Sequence, residues 1–376
     1  VVNFLIRIMN RLIYADNAAT TRMSQAACEA MMRFQLNDFA NASQPYSFAR
    51  SARKALKEAR ETIAKCINAS PNEIFFTSCG TESDNWIIKR CKCDKIYTSL
   101  IEHNAILKPC DEVALTGKEV IYIPVNHTGT VDIQTFDSML DGNSLVSIMM
   151  ANNEIGTILP IKQLAQIAHN HNSLFHTDAV QAVGHIPVDV RDLDVDFLSA
   201  SAHKFNGPKG IGFLYKKKGI ELNPFILGGG QENSLRSGTE NIASIVAMAI
   251  ALEENISHLE ENMRYVKSLE DALIHQLLSL NIKFHKNGST IKIPGNISLS
   301  FEGLSGESLL HRLDLLGICV STGSACDSKT TQISHVLKAI GLEESLAKGT
   351  IRISLGKYNT IDDVNRIVEA LVRIVK

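Results

Sequence analysis

An excess of charge of either sign is what this chain most plainly lacks. Lysine and arginine total 38 against 40 aspartates and glutamates, a formal net charge of −2. That leaves no electrostatic footprint for nucleic acid or an anionic membrane as a direct partner. No apolar run approaches the roughly 20 residues that span a bilayer. The opening Val1-Val2-Asn3-Phe4-Leu5-Ile6-Arg7-Ile8 is apolar but has no basic leader and no small-residue cleavage site, which argues against a secretory signal. Met9 is a candidate natural start, with the first eight residues as an extension. Internal repeats and low-complexity tracts are missing too. The eight cysteines, at 28, 66, 79, 91, 93, 110, 319 and 326, keep no scaffold spacing. A chain this long needs no staples, so free thiols in a reducing cytoplasm are expected. Cys91-Lys92-Cys93 with Cys110 departs from the gap of roughly two to four residues in zinc sites, so no metal is expected there.

What is present is an ordinary globular composition, 45% hydrophobic and 21% charged, on a chain long enough for two domains. From about residue 50 to 215 apolar strand-like runs alternate with helical patterns. The runs include 74–78, 96–101, 120–123, 145–150, 173–178 and 195–200, with amphipathic stretches such as 161–170 between them. Alternation of this kind, with continuous apolar strands, predicts a mostly parallel sheet covered on both faces. Residues 241–280 read as helical almost throughout, without Gly or Pro, as one helix or one broken once, and lead into a compact α+β unit. Its strands are expected at 297–301 and 350–355, its helices at 307–316 and from 361 onward.

Chemistry-bearing residues fall at the strand ends, where ligands collect in open α/β sheets. Lys204 follows the run that ends at Ala200 and precedes Phe205-Asn206-Gly207-Pro208. A lysine so placed is either an ordinary surface residue or one desolvated enough to form a Schiff base with an aldehyde. Asp178 ends another run, 26 residues earlier, with Gln181 three residues on. Pyridoxal phosphate needs a lysine for its aldehyde and a carboxylate for its pyridinium nitrogen. Cys79-Gly80-Thr81-Glu82-Ser83 stands at a strand-to-helix junction, where free backbone N–H groups suit a phosphate. Ser321 to Thr331 is small, polar and hydroxyl-rich, a mobile loop whose Cys326 is a candidate nucleophile, whereas Cys319 reads as core.

These residues, with Tyr14-Ala15-Asp16-Asn17-Ala18-Ala19-Thr20-Thr21, Glu102-His103-Asn104-Ala105, Asn152-Asn153-Glu154-Ile155-Gly156-Thr157, Gly228-Gly229-Gly230-Gln231-Glu232 and Leu235-Arg236-Ser237-Gly238-Thr239-Glu240-Asn241, resemble the cysteine desulfurases of the NifS/IscS type from Tyr14 almost to the C-terminus. The resemblance implies a fold-type I pyridoxal phosphate enzyme: a large cofactor-binding domain, 16–258, on a mostly parallel seven-stranded sheet, and a smaller α+β domain, 1–15 with 259–376, carrying the cysteine loop. It implies a homodimer that takes L-cysteine to L-alanine and passes sulfur, as a persulfide on Cys326, to an acceptor or scaffold protein. Iron–sulfur assembly, thio-cofactor synthesis and tRNA thiolation all begin with that persulfide.

By the same resemblance, Lys204 holds the cofactor and shuttles protons, Asp178 pairs with the ring nitrogen, and His103 stacks on the ring with a role in acid–base steps. Asn153 and Gln181 contact the ring hydroxyl oxygen. Gly80, Thr81, Ser201 and His203 hold the phosphate, joined by Thr239 of the other subunit. Asn17 and Arg352 bind the substrate carboxylate. The chain departs from the family at Tyr46 and Ala49, where histidine and glycine are usual, and at Cys79, where glycine is common. It also stops soon after its last helix, without the longer tail on which some relatives dock scaffolds. Competing readings are a selenocysteine lyase or other β-eliminating pyridoxal phosphate enzyme, and a non-enzymatic relative that only binds sulfur-relay partners.

Overall fold

The structure, a computed structural model, describes residues 12–322 and 333–376. It begins with a two-residue strand, β1 (Ile13–Tyr14), and helices α1 (Gln25–Leu36) and α2 (Arg50–Cys66). Strands and helices then alternate as expected: β2 (Ile74–Thr77), α3 (Gly80–Arg90), β3 (Lys95–Ser99), α4 (Asn104–Leu115), β4 (Glu119–Ile123) and α5 (Ile133–Met139). The series continues with β5 (Leu145–Ser147), α6 (Ile161–Asn170), β6 (Leu174–Asp178), α7 (Val190–Leu193), β7 (Phe197–Ser201) and β8 (Gly212–Lys216).

These strands form one seven-stranded sheet in the order β2-β8-β7-β6-β5-β3-β4. The neighbours from β7 across to β4 are parallel, and β8 alone runs against both of its neighbours. Every residue of β2, β5 and β7 is buried, which is why these strands read as unbroken apolar runs rather than alternating ones. The chain turns back beside β3, whose two neighbours are β4 and β5, and such a reversal opens a crevice at the carboxyl ends. The run 145–150 stops being strand at Ser147. One cause is that the Met149 N–H is taken by the Glu102 carboxyl group, at 2.9 and 3.0 Å, instead of a neighbouring strand.

Helices α8 (Ile242–Ser257) and α9 (Leu259–Ser279) meet at His258 with a 73° bend, the single break expected in that stretch. Among the described residues no single helix is long and apolar enough to cross a membrane. Beyond them come β9 (His285–Lys286), β10 (Asn296–Ser300), α10 (Gly306–Asp314), β11 (Ile318–Cys319), α11 (His335–Ala339), α12 (Glu344–Lys348), β12 (Thr350–Ser354) and α13 (Ile361–Val375). β10 pairs antiparallel with both β12 and β9. Thr360 and Asp363 form a capping box that starts α13, and Val364, Ile367, Val368, Leu371 and Ile374 then make its buried stripe.

Four separate apolar clusters result among the described residues, two of them large. One surrounds the large sheet, and the other joins α9, β10, β12 and α13. Parallel pairing of β1 with β11 puts Ile13 and Ala15 in the second cluster. Val336, Leu337 and Ile340 cross back and pack in the first. Cys319 corrects an expectation: it is half-buried, not core, because it ends the two-strand pair.

Candidate active site

Each predicted strand end delivers its residues to one side of the sheet. β2 passes through Ser78 and Cys79 into α3. Cys79 is the N-cap, with an extended φ of −174° and no side-chain capping bond. Extended backbone suits any residue, so glycine is not required there, and the first-turn amides of α3 are left without a side-chain cap. Gly80 has a stricter reason to be glycine: a Cβ would stand 2.5 Å from Val180 Cγ2. Its hydrogen lets α3 abut the turn that follows Asp178. β7 runs into a 3-10 turn, Ala202–Lys204, that presents His203 and Lys204. His103 caps α4, its Nδ1 accepting from the Ala105 N–H at 3.1 Å.

A cavity of about 290 Å³ lies where these ends converge. Gly80, Thr81, His103, Asn153 and Asp178 line it, as do Gln181, Ser201, His203, Lys204 and Arg352. Ala18, Ala19, Cys79, Asp84, Ala105, Met149, Val180 and Ser321 complete the wall. Asn17 lies in an adjoining cavity with His185 and Gly356. Thr239 lies apart, in a cavity of about 210 Å³ with Ser78 and Arg236. Cys326 falls outside the described residues. Tyr46 is exposed and Ala49 buried at a 3-10 turn, neither in the cavity wall. A larger groove of about 880 Å³ between α1, α2 and α8 is lined by alanines and surface charges such as Glu29, Arg33 and Lys54, with no comparable chemistry.

Lys204 Nζ donates to the Ala18 and Ala19 carbonyls at 2.6 and 2.9 Å, and Gln181 Nε2 reaches the same Ala18 carbonyl at 3.0 Å. Burial pushes the Asp178 carboxyl up, although it accepts the Val180 N–H and lies near His103 and the Lys204 ammonium, which act the other way. A cationic ring N–H placed against it would bring it back toward the carboxylate. Burial lowers His103, so its imidazole is neutral at neutral pH, and the Ala105 N–H on Nδ1 leaves the proton on Nε2. Burial lowers His203 to about 4.

Arg352 sits at the centre of β12. Nη1 donates to the Asn153 carbonyl at 3.0 Å and Nη2 to Asp16 Oδ1 at 2.7 Å, while buried Nε has no protein partner. Asn17 Nδ2 donates to the Ser354 carbonyl at 2.8 Å and to Asn359 Oδ1 at 3.2 Å.

Behind the cavity lies a buried polar layer that sequence reasoning missed. His176 is fully buried between the Ser147 and Ser199 hydroxyls, at 2.8 and 3.0 Å, and burial lowers it to about 3. Asp84, 3.7 Å from His176 Nε2, is raised well above the carboxylate range by burial and by Asp178. Glu102 is raised to about 8 by burial. Asp84 had a signal: it stands four residues after Gly80, on the same face of α3.

The residues fit pyridoxal phosphate. Ser201 Oγ is a buried hydroxyl without a protein partner, set with the uncapped α3 amides and the Gly80 cradle, and that combination suits a phosphate. Lys204 supplies an amine for the aldehyde, and Asp178 a buried carboxyl for the ring nitrogen.

The family model for class-V aminotransferases matches residues 13–367. A cysteine desulfurase IscS of Dictyoglomus turgidum is 46% identical over 376 residues, covering 98% of this chain and 95% of that one. A solved NifS-like protein superposes with a TM-score of 0.91 at 38% identity, covering 97% of this chain and 99% of that one. A protein named SspA, solved in complex with cysteine, gives 0.82 at 34% identity over 93% and 100% of the two chains.

Proposed function

The chain belongs to the cysteine desulfurases of the class-V aminotransferase family, and on that premise we propose that it removes sulfur from L-cysteine and releases L-alanine. Pyridoxal phosphate is its cofactor. The observation that carries the reading is the convergence of Lys204, Asp178, His103 and Arg352 with the Gly80–Thr81 helix start on one cavity.

Bound there, the cofactor supplies an electron sink for the carbanion formed at the substrate Cα. Lys204 would hold it through Nζ and move the proton at the substrate Cα. Asp178 would keep the ring nitrogen protonated. Neutral His103 would stack on the ring, with a proton on Nε2 to give. Asn153 and Gln181 would contact the ring hydroxyl, while Gly80, Thr81, Ser201 and His203 would hold the phosphate. Arg352 would orient the substrate carboxylate, using Nε and an adjacent Nη as a fork. Asn17 acts at the edge of that site, tied to Ser354. The sulfur would leave to the Cys326 thiolate as a persulfide and pass to an acceptor protein. That step draws support from Ser321, which lines the cavity five residues before Cys326.

We further propose a homodimer in which Thr239 completes the partner's phosphate site. Its separation from Lys204, in a different cavity, supports this, as do the exposed Phe39, Phe48 and Leu227. The cytoplasm is the proposed compartment, supported by seven described cysteines that are all unpaired.

The test is incubation of the cofactor-loaded protein with L-cysteine and a thiol reductant. Alanine and sulfide should appear in equal amounts. Pyruvate and ammonia in place of alanine would make it a β-eliminating lyase.

A further inference from the structure

The far rim of the sheet carries thiols that this reaction does not use. α3 starts at the cavity with Gly80 and runs 11 residues to Arg90, so its C-cap, Cys91, lies about 16 Å away along the helix axis. Cys91 is 3% exposed, and its N–H donates to the Ile87 carbonyl. Two residues on, the Cys93 N–H donates back to the Cys91 carbonyl at 3.0 Å, a γ-turn centred on Lys92. That turn draws the two Cα atoms closer than extended chain would, into the range of roughly 4.4–6.8 Å that a disulfide bridges. Lys118 Nζ closes the cluster, 3.0 Å from the Cys91 carbonyl and 4.0 Å from Cys93 Sγ.

The thiols differ in character. Cys91 and Cys110 are buried, while Cys93 is only partly so and open to a small reagent. Interaction with Cys93, then burial, pushes Cys91 up, and burial pushes Cys110 to about 12. Cys93 moves down: the Cys91 thiol, Lys118 and the Leu145 N–H favour its thiolate, against burial and Asp94. A partly open thiolate beside an ammonium and a protonated thiol is the arrangement of a reactive and a resolving cysteine.

We propose that Cys93 and Cys91 form a peroxide-reactive pair, in which the Lys118-flanked Cys93 sulfur attacks and Cys91, one γ-turn away, resolves it to a disulfide. The Cys93 thiolate attacks one oxygen of hydrogen peroxide and the O–O bond breaks. The departing hydroxide takes a proton and leaves as water, and Cys93 becomes a sulfenic acid. Cys91 then displaces the hydroxyl: the S–S bond forms, the S–O bond breaks, and the Cys91 proton leaves in a second water. Two thiols lose two electrons and one peroxide gains them.

The experiment uses cofactor-loaded full chain carrying Cys326→Ser, so that the loop thiol consumes no oxidant. It is treated with hydrogen peroxide near stoichiometry, alkylated, digested and weighed by mass spectrometry. The peptides holding Cys91 and Cys93 should appear linked, two hydrogens lighter, while Cys66 and Cys110 still alkylate. Adding Cys91→Ser should stop the reaction at a Cys93 sulfenic acid, trapped by a 1,3-dione. Lys118→Met, which leaves both thiols in place, should slow the trapping about tenfold at neutral pH. Equal oxidation of all thiols, or an unchanged rate without Lys118, would overturn the proposal. Should Cys91→Ser not fold, the Lys118→Met rate decides alone.

Discussion

Arg352 Nη2 lies 2.7 Å from Asp16 Oδ1 and Nη1 3.0 Å from the Asn153 carbonyl oxygen, so both terminal nitrogens of the guanidinium already have protein partners. The pair links β12 to the chain leaving β1, with Arg352 6% and Asp16 19% exposed. Nε is the one guanidinium nitrogen without a protein partner, and the proposed substrate carboxylate would have to include it. Arg352→Lys cannot form a fork and should raise KM for cysteine roughly 10- to 100-fold with a smaller change in kcat. Asp16→Asn keeps the fork and should move KM far less. Steady-state kinetics on both variants checks the assignment, and an unchanged KM in Arg352→Lys would remove Arg352 from the substrate site.

Lys204→Ala should lose the covalent cofactor and, on the order of 10³-fold or more, the turnover of cysteine. Borohydride treatment should add the cofactor's mass to the peptide holding Lys204 in the parent protein and to no peptide in the variant. A reduced adduct on another lysine would reassign the site.

Asp178→Asn is expected to keep the cofactor while activity falls on the order of 100-fold or more, because the ring nitrogen is no longer held protonated. Equilibrium dialysis separates retention from catalysis. Normal turnover with the neutral side chain would take Asp178 out of the mechanism.

Glu102 sets a pH dependence of stability. Burial raises its carboxyl from 4.5 to about 8, so the folded protein keeps a proton that the unfolded chain releases near 4.5. The stability from this group is full below the unfolded value and is lost as pH rises toward the folded one. Glu102→Gln removes that titration, so thermal midpoints across this window should move in favour of the variant as pH rises. A difference that stays flat would mean that Glu102 is ionised in the folded protein.

Cys326→Ser should bind cofactor and cysteine normally yet form no persulfide, since a hydroxyl is a far weaker nucleophile toward sulfur at neutral pH. Mass spectrometry after incubation with cysteine should find the extra sulfur on the Cys326 peptide of the parent protein alone. Finding it on Cys79 instead, with Cys326→Ser fully active, would refute the step.

The strand ends were legible because buried parallel strands leave continuous apolar runs, and chemistry-bearing residues stand out where those runs stop, as Asp178 and Lys204 do. What escaped was held by contacts between elements far apart in sequence. Nothing local marks Asp16 as the partner of Arg352, or the Ala18 and Ala19 carbonyls as the rest for Lys204. His176 and Asp84 were hidden for a related reason. A buried polar residue within an apolar run is read as core unless its partners are known, and those of His176 come from β5, β7 and α3. The antiparallel course of β8 was equally silent, because direction leaves no trace in composition.

The ties between Asn17 and Ser354 span 337 residues, and Ser354 in turn donates its N–H to Ala15. On a ribosome moving at roughly 5–20 residues per second, that leaves the segment around Asn17 waiting about 20–70 s for its partner strand. The large sheet can collapse meanwhile, but the wall that holds Lys204 and Arg352 cannot close until β12 has emerged. Newly made chains should therefore complete the substrate site only at the end of synthesis, and ribosome-bound fragments stalled before Thr350 should turn over no cysteine however well their sheet has formed.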